Sequence, residues 1–297
     1  MTREQREEIR RLRQKSPLDL GGDVALQRPL FEELLSAHPV PPDIVVDELD
    51  LDRVPALSVT VADTPCEGTT LYFHGGAFTF GSARSSLGIV ADLARRSRTR
   101  VVTVDYRLAP EHPAPAAVDD ARHAYETLLT TGQDRGKIVV AGESAGGGVA
   151  LGLLASLPAT STPAAGVLLS PWVDLTLSGG SMTTRAADDY IVSREALARR
   201  VRDYVGDPAA AHRHSPLFER LDGLPPMLIQ VGTHEVLLDD ATRLAMRLAD
   251  ADVSVILDLT AEVTHVFQAF APILDEAAAA MNRAAAFIRT AVSPGQT

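Results

Sequence analysis

The sequence predicts an α/β protein with a mostly parallel sheet and helices on both faces. Two observations predict it. Short apolar runs alternate with helix-length segments, and most runs stop abruptly at polar or glycine-rich residues. The runs are Ile44–Val46, Ala56–Val61, Leu71–Phe73, Val101–Val104, Ile138–Ala141, Val167–Leu169, Met227–Val231 and Val253–Leu257. Helices are expected at about 85–96, 116–131, 145–157, 239–251 and 271–291. In such sheets ligands bind beyond the carboxyl ends of the strands, where the polar clusters fall.

Two stretches stand outside this alternation. Residues 1–40 read as one or two helices, with Ile9 and Leu12 on one stripe and Leu30, Leu34 and Leu35 on another. Residues 174–215 are too long for an ordinary strand–helix link and contain a helix-like 193–205. Both are read as parts of a cap over the sheet edge. The 297 residues leave room for two domains, but α/β chains of this size often form one. The expectation is a single domain, 1–297, with its cap built from 1–40 and about 174–215.

Composition narrows the function. A net charge of −11 makes nucleic acid and anionic membranes poor partners. The lone Cys66 forbids an internal disulfide and a cysteine-based zinc site. No apolar run of about 18 residues is present. The arginine-rich start, interspersed with Glu4, Glu7 and Glu8, lacks the apolar block of a secretory signal, so a cytoplasmic location is expected.

Three motifs carry the chemistry. Gly142-Glu143-Ser144-Ala145-Gly146 lies between a strand run and an apolar helix. There a serine on a sharp turn projects its hydroxyl from the sheet edge, and flanking glycines let strand and helix pass closely. A phosphate-binding helix start is the competing explanation, but no P-loop lysine follows. His74-Gly75-Gly76-Ala77-Phe78 follows another strand run. Its consecutive amides suit a tetrahedral oxyanion, with Gly75 and Gly76 as donors and Ala145 as the third. Asp105-Tyr106-Arg107-Leu108-Ala109-Pro110-Glu111-His112-Pro113 reads as a stiff wall beside that loop, fixed by an Arg107–Glu111 ion pair, with His112 a scaffold residue.

A serine nucleophile needs a base and an acid to orient it. Of eight histidines (38, 74, 112, 123, 212, 214, 234 and 265), His265 follows the last strand run, where the order Ser, acid, His places the base. Glu235, four residues beyond Val231, is the favoured acid. Asp239 and Asp240 are its rivals, at a helix start where carboxylates are common for dipole reasons alone.

Together these motifs resemble the hormone-sensitive-lipase-like family of bacterial α/β-hydrolase esterases, over about residues 68–270. Two departures stand out: the acid motif reads Glu235-Val236-Leu237-Leu238-Asp239, and Ala77 replaces the third glycine of the oxyanion motif. The resemblance implies an α/β-hydrolase fold with an eight-stranded, mostly parallel sheet and a helical cap. It implies hydrolysis of small-molecule esters, lactones included, with no cofactor or metal, and homodimers are common in the family. Alternative uses of the same triad are amide or acetyl removal, acyl transfer and acetate elimination. A non-catalytic ligand receptor is a further alternative, against which the retained His265 argues.

Overall fold

The computed structural model describes residues 2–36 and 40–293. Of the expected cap segment 1–40, residue 1 and residues 37–39, His38 among them, lie outside the described residues, as do residues 294–297.

Eight strands form one sheet: β1 (Ile44–Asp50), β2 (Pro55–Val61), β3 (Thr69–Phe73), β4 (Arg100–Val104), β5 (Ile138–Glu143), β6 (Ala165–Leu169), β7 (Met227–Gly232) and β8 (Val255–Thr260). Their order is β1-β2-β4-β3-β5-β6-β7-β8. β2 runs antiparallel to both neighbours and every other pairing is parallel. The last strand begins two residues later than its apolar run, because Val253 is buried in the preceding turn. The helices are α1 (Thr2–Gln14), α2 (Val24–Ser36), α3 (Leu87–Ser97), α4 (Ala116–Thr130), α5 (Ala145–Ser156), α6 (Ser181–Thr184), α7 (Arg194–Val205), α8 (Leu238–Asp250) and α9 (Asp275–Val292).

Burial explains the pattern. β3, β5, β6 and β7 are buried along their whole length, so their sequences are continuous apolar runs and not alternating ones. Successive residues still face opposite sides. Leu71 and Phe73 join a core with α4, α5 and α8, whereas Tyr72 joins one with α3 and α9. In α8 the buried residues Ala241, Leu244, Ala245 and Leu248 recur at helical spacing.

The N-terminal helices differ in detail from their expected stripes. α1 buries Ile9 against Val263, Phe267 and Leu274, while Leu12 is exposed. α2 buries Phe31, which stacks on Phe80 at 5.7 Å, and Leu30, Leu34 and Leu35 are only partly covered. Between the two helices, the carbonyls of Gly21 and Gly22 accept hydrogen bonds from Arg199 (2.7 Å) and Arg200 (3.0 Å) of α7. The N-terminal segment and the 174–215 insertion therefore meet.

The close approach of α5 to β3 fixes where Ser144 stands. A Cβ on Gly146 would lie 2.0 Å from the Phe73 carbonyl oxygen and 2.5 Å from that of His74. Gly146→Ala should therefore cost about 3 kcal/mol or more, because the obstruction is backbone and cannot rotate away. The midpoint of urea unfolding measures this, and an unchanged midpoint would contradict the close approach.

Candidate active site

Five strand ends supply the site. β3 leads into His74, β5 into Ser144, β6 into Ser170, β7 into Glu235 and β8 into His265. Ser144 adopts φ 54° and ψ −122°, a sparsely populated region for a residue with a Cβ. Its N–H donates to Leu169 O (3.0 Å), and its carbonyl accepts from Trp172 N–H (2.9 Å).

Ser144, His265 and Glu235 come together from positions far apart in sequence. His265 Nε2 lies 2.9 Å from Ser144 Oγ, and His265 Nδ1 lies 2.9 Å from Glu235 Oε2. The carboxylate only accepts, so Nδ1 carries the proton and Nε2 is left to receive that of the serine. Glu235 Oε1 also accepts from Ser170 Oγ (2.7 Å) and Gly232 N–H (2.6 Å). Burial raises the Glu235 carboxyl above its usual range, and the bonds from His265, Gly232 and Ser170 pull against it. Burial pushes the imidazole of His265 down. The Glu235 bond and charge, with Asp189 behind them, outweigh that, and the net direction is up from the ordinary 6.5.

The rival acids are occupied elsewhere. Asp239 Oδ2 accepts from Ser181 N–H (3.0 Å) in the insertion. Asp240 Oδ2 accepts from the amides of Val173 (2.9 Å) and Asp174 (2.8 Å), and burial pushes it up to about 8.

Gly75 requires a correction. Its N–H donates to Glu143 Oε1 at 2.8 Å, so it is not available to an oxyanion. Among the described residues, the amides of Gly76, Ala77 and Ala145 donate to no protein group. Gly76 makes the turn possible: its φ is +118°, and a Cβ there would lie 2.2 Å from Phe80 O. The free amides thus begin one residue later than the sequence suggests.

The expected Arg107–Glu111 ion pair does not form either. Arg107 forks onto Asp120 of α4 (2.7 Å), which also accepts the Arg107 N–H, and Glu111 pairs with Arg28 of α2 (2.7 Å). The wall itself stands as read. Tyr106 donates to His74 O (2.7 Å) and stacks on the His74 ring at 4.3 Å, while Ala109 N–H donates to Phe78 O (2.9 Å). His112 is exposed and plays no part in the triad geometry.

Sequence reasoning missed two residues here. Ser170 links the acid and base loops, donating to Glu235 and accepting from Val266 N–H (3.1 Å). Its signal was its position at a strand end adjoining β5 and β7. Glu143 passed as a variable motif position, yet it is buried and holds the Gly75 amide of the loop after β3. A cleft of about 210 Å³ opens on the outer side of Phe78, lined by Val118, Gly152 and Tyr204, and includes none of Ser144, Glu235 or His265. Hydrogen-bond geometry, and not cleft size, identifies the site. Among the described residues no His, Cys, Asp and Glu group is arranged to hold a metal.

Two outcomes follow from this geometry. Glu235→Gln should reduce kcat by roughly 10⁴-fold, since an imidazole in the wrong tautomer cannot accept the serine proton. Asp239→Asn should reduce it far less, and steady-state kinetics of both variants decide between the two acids. Glu143 is pushed up to about 7 by burial from an unfolded value of 4.5. A carboxyl raised in this way destabilises the fold progressively as pH rises between those two values, and by a constant amount above them. Glu143→Gln should therefore raise stability by about 3 kcal/mol at pH 8 but little at pH 4.5, as read from denaturation midpoints.

Comparisons with known proteins show the family. A family model described as α/β hydrolase fold matches residues 70–269. The chain is 40% identical over 230 residues to an acetyl-hydrolase of Streptomyces hygroscopicus, covering 76% of this chain and 77% of that protein. It is 35% identical over 284 residues to an esterase of Acinetobacter venetianus, covering 93% and 91%. A crystal structure of an esterase from the bacterial hormone-sensitive lipase family superposes with a TM-score of 0.90 at 38% identity, covering 96% of each chain. With its strand order, its elbow serine and these relatives in agreement, the chain belongs to the hormone-sensitive-lipase-like esterases of the α/β-hydrolase fold.

Proposed function

We propose that this serine hydrolase cleaves carboxylic esters of short acyl chains through an acyl-enzyme on Ser144. The observation that carries the reading is the unbroken line of hydrogen bonds from Ser144 Oγ through His265 to Glu235, each link 2.9 Å. The names of the relatives, acetyl-hydrolase and esterase, favour hydrolysis over acyl transfer, acetate elimination or ligand sensing.

His265 Nε2 takes the Ser144 proton as Oγ attacks the acyl carbon. Glu235 holds the imidazole and stabilises its cation. The amides of Gly76, Ala77 and Ala145 receive the oxyanion, where the loss of one donor typically costs ~2.7–4 kcal/mol. The proton then passes from His265 to the departing alcohol oxygen. Water attacks the acyl-enzyme as His265 removes its proton, the acid leaves, and Ser144 regains its hydrogen.

Residues 1–40 and 174–215 serve as the cap in this reading, and the contacts of Arg199 and Arg200 with Gly21 and Gly22 support it. Beside the oxyanion loop, Phe78 stacks on Tyr204 (4.0 Å) and packs against Trp172 (5.4 Å), which narrows the room for a long acyl chain. A cytoplasmic location is part of this reading, and the single exposed thiol of Cys66 is compatible with a reducing compartment. No helix among the described residues is long and apolar enough to cross a membrane. A homodimer would cover Ile256 and Leu259, which are exposed on the edge strand β8.

The specificity constant against p-nitrophenyl acetate, butyrate, octanoate and palmitate tests the reading. A maximum is expected at roughly two to eight carbons, with Ser144→Ala inactive throughout and normally folded. A maximum at palmitate, or a surge in rate above the micelle threshold, contradicts the acyl preference. Turnover retained by Ser144→Ala contradicts the nucleophile.

A further inference from the structure

Asp189 lies in the insertion, between α6 and α7, and is buried. Its Oδ1 accepts from the amides of Ile191 and Val192, both at 3.0 Å, which closes its own turn. Those two bonds alone describe an ordinary turn-capping aspartate. Two further bonds leave the turn. Oδ2 accepts from Val236 N–H at 2.9 Å, and Oδ1 faces Thr264 Oγ1 at 3.4 Å. Val236 is the residue after Glu235, and Thr264 is the residue before His265. One carboxylate therefore touches both loops that carry the acid and the base.

We propose that Asp189 is a positioning residue for the catalytic base: it ties the acid loop to the base loop and brings a second negative charge to bear on His265. The inference rests on the reading of Ser144, His265 and Glu235 as the triad. On this assignment the insertion does more than roof the site, because the triad reaches its working geometry only with segment 181–192 in place. Ser181 reinforces the attachment, donating to Val236 O (2.6 Å) and accepting from Asp239 N–H (3.0 Å). A movement of this segment would remove the Asp189 bonds to both loops and leave Ser170 as the bridge between them.

The charges around His265 set the sign of the effect. Glu235 faces it from the β7 loop, Glu143 from the end of β5, Asp189 from the insertion and Arg13 from α1. The Asp189 charge favours the imidazolium and Arg13 opposes it. Tyr190 is the further titratable group beside Asp189. Removing the Asp189 charge therefore lowers the pH at which the base becomes neutral, and the acid limb of kcat/KM moves to lower pH.

The test is the pH profile of p-nitrophenyl butyrate hydrolysis by the full chain and its Asp189→Asn, Asp189→Glu, Asp188→Asn and Ser144→Ala variants. Active sites are counted with a fluorophosphonate probe. Asp189→Asn should lose about 10–100-fold in kcat with KM changed less than about threefold. Its acid limb should fall by about half a pH unit or more. Asp189→Glu, which keeps the charge but is one methylene too long, should lose kcat with its acid limb in place. This variant keeps the proposal testable if Asp189→Asn fails to fold. Asp188, whose partner is Arg185 (3.4 Å), should tolerate Asp188→Asn at the unsubstituted rate. Unsubstituted kcat and acid limb in Asp189→Asn, or unsubstituted kcat in Asp189→Glu, overturns the proposal. So does an equal loss in Asp188→Asn. In each case an inactive Ser144→Ala leaves the triad reading standing, whereas an active one removes the triad reading itself.

Discussion

The strained backbone of Ser144 is the constraint on which the rest of the site depends. Holding a non-glycine residue in so sparsely populated a conformation costs on the order of 1–3 kcal/mol. It persists because the Ser144 amide and carbonyl are both bonded to the chain at the end of β6, through Leu169 and Trp172. The serine is thus clamped by the strand on one side of it, while the strand on the other side, β3, leads into the His74–Phe78 loop. Shifting either neighbour relative to β5 would separate Ser144 from its surroundings. Three central, fully buried parallel strands supply the rigidity this requires.

Beyond the strand ends no ladder exists to satisfy loop amides, and carboxylates take over that task. Asp105 accepts from Ala83, Asp120 from Arg107, Glu143 from Gly75, Asp189 from Val236, Asp240 from Val173 and Asp174, and Glu235 from Gly232. Each receives a peptide N–H that would otherwise be buried without a partner. Part of the −11 net charge therefore belongs to the scaffold of the site and not to a recognition surface. The same arrangement accounts for the raised pKa values of Glu143 and Asp240: one or two neutral donors satisfy geometry without fully replacing the lost hydration.

The fold was legible because the buried central strands are continuous apolar runs; Ser144 and Glu235 each follow one of them, and His265 follows the run that becomes the edge strand β8. The elbow serine needs glycines around it, and those are visible in any sequence. Other features were not legible, for identifiable reasons. Whether Gly75 or Ala77 supplies an amide depends on the direction of single peptide planes, and the side chain of Glu143, from another strand, decides it. The partner of Arg107 is set by how α4 returns across its own loop, which a local spacing such as Arg107 to Glu111 cannot encode. α2 buries Phe31 in a stack on the ring of Phe80, a partner about fifty residues further on that its own leucine spacing does not reveal. Asp189 gave no signal, since its meaning lies in two segments about fifty and seventy-five residues further on.

Arg28 gives the N-terminal segment an importance that its weakly amphipathic sequence conceals. From α2 its guanidinium donates to Thr79 O (2.8 Å) just past the oxyanion loop, to Ala109 O (2.7 Å) in the proline-rich wall, and to both oxygens of Glu111 (2.8 and 2.7 Å). Through Arg28, α2 thus braces the loop after β3 against the proline-rich wall. When homologous esterases are recombined to alter substrate range, α2 and the loop 105–115 form one exchange unit. A crossover between them would join an arginine from one parent to carbonyls and a carboxylate shaped in another.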